Sequence, residues 1–157
     1  MNLELQSAVF VLDGEPSCHD LDTLAKQVHS EYFASGPKLE VRWGRRSSRR
    51  PRQSIRLGSY DPEMELIRIH PSLNSRRVPA FFIQSIIFHE YLHHVLGPTH
   101  DQRFHRFERR YSYHRESRIW LRRFLPMLLG ARPRQVREIF GRKRPAPGSE
   151  PRQIALF

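Results

Sequence analysis

The sequence predicts an α+β fold: a small antiparallel or mixed sheet with a hairpin, packed on one buried helix, and further helices toward the C-terminus. Three observations lead there. Short runs of alternating apolar and polar residues at 39–43, 54–57 and 66–70 have the period of half-buried strands. The nineteen residues from Val78 to Leu96 are apolar nearly all round, as a buried helix is. Residues 19–33, 101–113 and 115–129 read as further helices. A chain of 157 residues, 38% hydrophobic and 11% aromatic, is long enough for one domain with a sizeable core.

Taken in order, the N-terminal MNLELQSAVFVLDGEPSC has an apolar run with no basic residue before it and acids on both sides, which argues against a secretory signal. No stretch reaches the roughly eighteen apolar residues of a membrane span. Cys18 is alone, so neither an internal disulfide nor a cysteine-rich zinc ribbon can form, and a cytoplasmic monomer without membrane partners is expected. Residues 19–33 place Leu21, Leu24, Val28 and Tyr32 on one helical face, with Ser17 or Asp20 able to cap it. Leu39, Val41 and Trp43 alternate with Glu40 and Arg42 as a strand, and residues 45–53, with five arginines, read as a solvated loop. Ser54–Leu57 alternates, Gly58 ends the run, Tyr60–Glu63 supplies turn chemistry, and Leu66–His70 resumes a strand, so a β-hairpin is predicted.

The 78–96 helix should stop at Gly97-Pro98, because glycine takes the left-handed cap conformation and proline forbids continuation. Residues 101–113 and 115–129 read as two more helices, with Pro126 kinking or shortening the second, and a short helix is expected at 133–140. A domain over 1–140 is therefore followed by a Pro- and charge-rich tail at 141–157.

The chemistry is concentrated at His89-Glu90-Tyr91-Leu92-His93, an H-E-x-x-H match. Four residues is just over one helical turn, so both imidazoles leave one face and can reach one Zn2+ ion, while Glu90 stands one step round the helix, close enough to handle the proton of an attacking water. A catalytic zinc site takes three protein ligands and keeps a fourth position open. His100, seven residues past His93 and beyond the Gly97-Pro98 break, is the best third ligand; His105, Glu108 and Glu116 are the alternatives. His94 points about 100° away from His93 on an ideal helix and cannot easily share the metal. His70 and His114 read as surface residues. Tyr111, Tyr113 and His105 are candidate donors to a developing oxyanion.

Lys plus Arg number 27 against 16 acids, a formal charge of +11, and Lys26, Lys38 and Lys143 are the only lysines. Arginine forks suit phosphate, so DNA is a candidate partner; a solubilising surface is the simpler alternative.

The run His89–His93 followed by His100-Asp101-Gln102-Arg103-Phe104 resembles SprT-like zinc metallopeptidases, as does Ile67-Arg68-Ile69-His70-Pro71-Ser72-Leu73 before it. The resemblance covers roughly residues 54–112. It implies a minimal gluzincin-like fold, His89, His93 and His100 as zinc ligands, Glu90 as catalytic acid/base, and a protein or peptide substrate. The four-cysteine ribbon of many members is missing, and the glycine and third histidine each fall one residue late for the metzincin pattern. The chain ends Gln153-Ile154-Ala155-Leu156-Phe157, which resembles the bacterial sliding-clamp-binding peptide; Gln153, Leu156 and Phe157 would then anchor on a clamp. The resulting expectation is a zinc peptidase acting on DNA-associated proteins. A nucleic-acid-associated binding protein with a structural zinc site and a general quality-control peptidase are the alternatives.

Overall fold

The computed structural model describes residues 17–46 and 55–129. The segment 1–16, most of the arginine loop, the helix expected at 133–140 and the tail with Gln153, Leu156 and Phe157 lie outside the described residues. The predicted α+β architecture is what the described residues adopt: four α-helices and a three-stranded mixed sheet among them.

Helix α1 spans Leu21–Tyr32, and Asp20 rather than Ser17 caps it, its carboxylate accepting from the backbone N–H of Asp22 and Thr23. Leu21, Leu24, Ala25 and Val28 bury its inner face. Strand β1 (Glu40–Trp43) runs parallel to β3 (Leu66–Ile69), and β2 (Gly58–Asp61) runs antiparallel to β3, giving the order β1-β3-β2. The central strand has the most buried side chains, with Ile67 and Ile69 fully inaccessible.

The hairpin exists, but its first strand lies further along the chain than the alternation suggests. Of the strand expected at 54–57, the described residues 55–57 are in no strand and lead into β2, although Ile55 and Leu57 are buried as that pattern requires. The turn is Pro62–Glu65, because Asp61 accepts from the N–H of both Glu63 and Met64 and Glu65 takes a φ of 49°. Gly58 is in the strand and does not end it. A Cβ there would come within 2.6 Å of Ile86 Cγ2 and 2.7 Å of Glu90 Oε1, so its missing side chain lets β2 press onto the helix behind it.

That helix, α2 (Ala80–Leu96), buries ten of its residues, from Phe82 to Leu92. It starts two residues later than the apolar run because Pro79 is extended at its N-cap, and the residue before a proline is pushed out of the helical region. Gly97, at φ 93°, ends it as expected.

The helix expected at 101–113 is shorter. Helix α3 (Gln102–Glu108) is capped by Asp101, whose carboxylate accepts from Phe104 N–H. Its continuation is broken where the Ser112 N–H donates to the Tyr32 hydroxyl of α1 at 3.1 Å instead of to a helical carbonyl. Helix α4 (His114–Leu128) then returns along α2, with Trp120 against Phe82 at 4.4 Å between ring centroids. It carries Pro126 in its last turn and continues two residues beyond, so the proline does not shorten it.

Candidate metal centre

The second half of α2 is the floor of the site. His89 is 1% exposed and sits among the core residues of α2, one turn before half-buried His93. The Gly97-Pro98 break turns the chain so that His100 comes back over the helix end. The three imidazoles then converge: His93 Nε2 lies 3.2 Å and His100 Nε2 3.1 Å from His89 Nε2. All three ligand nitrogens fall within 4.8 Å of one another. Tetrahedral zinc with bonds of about 2.0–2.1 Å sets its ligand nitrogens roughly 3.3 Å apart. Beneath them the fully buried Phe104 ring touches all three, with centroids 4.8 Å from His89, 4.8 Å from His93 and 4.7 Å from His100.

The protons explain why the cluster suits a cation. His89 Nδ1–H donates to Glu108 Oε1 at 2.8 Å, and His93 Nδ1–H donates to the Gly97 carbonyl at 3.0 Å. A neutral imidazole that donates at Nδ1 is an acceptor at Nε2, so two lone pairs face each other across 3.2 Å. His89 itself takes no further proton near neutrality, since burial pushes it down to about 4 against the pull of Glu108. Three converging imidazole nitrogens are a donor set that fits a divalent cation. These three histidines can hold a metal ion.

The competing ligands are placed elsewhere. His94 points to the sheet, its Nδ1 2.7 Å from the Tyr60 hydroxyl. Glu108 is buried at 9% exposure, and its second oxygen accepts from His105 Nδ1 at 3.2 Å, so both oxygens are engaged. Burial alone would raise the Glu108 pKa; the hydrogen bonds from His89 and His105 outweigh it and hold the carboxyl down at about 2. Glu116 is exposed on α4 and outside the cluster.

Glu90, the next residue along α2, is 3% exposed and faces β2 beside Gly58. Burial raises its pKa to about 7, partly offset by the Arg56 guanidinium and by the Tyr60 backbone N–H, which donates to it. A carboxylate with a pKa near neutrality suits proton transfer in both directions.

Two histidines assigned to the surface have structural positions. His70 is half-buried and its Nδ1 accepts from Ser72 N–H, capping the 3-10 turn Pro71–Leu73. His114, also half-buried, lies near enough to Glu108 to stabilise its charge. Of the oxyanion candidates, Tyr111 is committed: its hydroxyl donates to the Phe81 carbonyl at 2.7 Å, and burial raises its pKa. Tyr113 packs on Phe81, eight residues before His89 and so roughly 12 Å down the helix axis. His105 stays beside the centre through Glu108. Sequence reasoning missed Tyr60, whose β2 position follows only from the true register of the hairpin.

Comparison of the chain with protein-family models, with curated proteins and with solved structures finds no match.

Proposed function

We propose that this chain is a zinc-dependent peptidase in which His89, His93 and His100 hold the metal and Glu90 moves the protons. The observation that supports this most is the convergence of three imidazole Nε2 atoms next to a buried carboxylate on the same helix. Three imidazoles with no thiolate and no further protein ligand among the described residues match the open site of a catalytic zinc better than the closed site of a structural one. Zinc bound there would act as a Lewis acid, making water a nucleophile near neutral pH and polarising a carbonyl.

The chain's own residues would do the rest. Glu90, ionised in part near neutrality, accepts a proton from the attacking water and returns it to the leaving amine. Gly58 and the Tyr60 N–H fix that carboxylate from the β2 side. Strand β2 is at the sheet edge, and its outer edge is unpaired among the described residues. An extended peptide adding to that edge would run past Glu90 through main-chain hydrogen bonds that do not read sequence. The test is metal analysis together with turnover of an unstructured protein substrate. Glu90→Gln should retain zinc and lose activity by about 10²–10⁴-fold. Full turnover by that variant would exclude the mechanism, and a wild-type protein with zinc but no activity would favour a binding protein with a structural site.

A second observation favours DNA-associated substrates over general quality control. Arg103, Arg106, Arg109, Arg115 and Arg118 are exposed along α3, its C-cap and α4, and none forms an ion pair among the described residues. Unpaired guanidinium groups beside the metal centre suit a phosphate backbone.

A further inference from the structure

We infer that Glu108 is the positioning residue of the metal centre, its carboxylate holding His89 by Nδ1 so that Nε2 stays aimed at the cation. This rests on the reading that the three histidines bind zinc. Three features of α3 carry it. Phe104 and Glu108 are four residues apart, so they leave the same face of the helix, and both are buried against α2. Phe104 supplies the apolar floor under the three rings, and Glu108 supplies the acceptor. The two carboxylate oxygens are divided between His89 Nδ1 at 2.8 Å and His105 Nδ1 at 3.2 Å, which fixes the carboxylate plane and leaves neither oxygen to ligate.

The consequence is chemical. An imidazole without a partner at Nδ1 can carry its proton on either nitrogen and rotate about its ring axis. An anionic acceptor selects the Nδ1–H tautomer, restrains the ring and raises the basicity of the opposite nitrogen. His89 is the most buried ligand, so an unrestrained tautomer there would cost the site most. Glu108 also brings a negative charge to a centre whose three ligands are neutral. His93 obtains its restraint from the Gly97 carbonyl instead, without charge.

The test uses two substitutions in the full-length protein, with zinc affinity measured by competition against a chromophoric chelator and Co2+ absorption as a geometric readout. Glu108→Leu keeps the volume and removes the acceptor; zinc affinity should fall about 10–100-fold and the Co2+ bands should shift. The metal-free melting temperature of this variant should fall, because the buried His89 Nδ1–H loses its acceptor, so the Co2+ bands rather than stability report the positioning role. Glu108→Gln keeps an oxygen acceptor without the charge; it should bind zinc more tightly than Glu108→Leu but still several-fold more weakly than wild type. A Glu108→Leu variant that binds zinc within about twofold of wild type, with the same Co2+ spectrum, would overturn the inference. Should Glu108→Leu fail to fold, Glu108→Gln decides. A several-fold loss then supports the role of the charge, and wild-type affinity excludes it. A wild-type protein that binds no zinc would instead remove the underlying metal reading.

Discussion

Glu108 lies against the histidine cluster and Glu90 against β2, and their neighbours drive them in opposite directions. Glu108 has two imidazole donors and stays ionised, whereas Glu90 has mainly apolar neighbours and a raised pKa of about 7. Raising a folded-state pKa above the usual 4.5 means that protonation favours folding. The metal-free protein therefore loses stability as pH rises from about 4.5 to about 7 on account of this residue. Glu90→Gln removes that penalty. The variant should be more stable than wild type at pH 8 by about 3 kcal/mol at most, with the difference gone below the unfolded pKa; denaturant melts of metal-free protein at pH 4 and pH 8 check it. His100→Ala should weaken zinc binding by more than roughly a hundredfold, whereas His94→Ala should leave one zinc per chain, since His94 serves Tyr60. The two α2 histidines of the cluster and the neighbouring Glu90 were legible as a group because H-E-x-x-H is a local pattern on one helix. The choice of His100 over His105 and Glu108 depended on where the chain turns after Gly97. Glu108's bond to His89 spans nineteen residues, a separation that local periodicity does not report.

At the scale of elements, helix identity was legible and strand register was not. Alternation marked Ile55 and Leu57 as buried, which they are, but burial does not say which residues pair. Register was decided by the Asp61 turn and by the close approach of Gly58 to α2, which is a tertiary constraint. Gly58→Ala is accordingly expected to cost about 1–3 kcal/mol through overpacking against Ile86 and Glu90. Chemical denaturation measures that cost, and reduced turnover at unchanged zinc content would show that Glu90 has been displaced. The break after α3 was invisible for the same reason, since the Ser112 N–H finds its acceptor on α1, eighty residues earlier.

Over the whole molecule, the excess of arginine was plain in the composition, but its arrangement was not. None of the helices among the described residues is long and apolar enough to cross a membrane. Exposed Arg103, Arg106 and Arg109 line one cavity together with His105. If they meet phosphates, the logarithm of DNA affinity should fall linearly with the logarithm of salt concentration. Replacing Arg103, Arg106 and Arg109 by Gln should make that slope shallower by about 2–3. Fluorescence anisotropy on a labelled duplex reads both quantities. The metal centre is the claim on which the peptidase proposal depends, and X-ray absorption at the zinc edge of the loaded protein tests it most directly. Three imidazole nitrogens at about 2.0–2.1 Å with one lighter-atom ligand are predicted, disappearing as an ordered site in His100→Ala. Zinc without multiple imidazole scattering, or a protein that takes up no zinc at all, would contradict it.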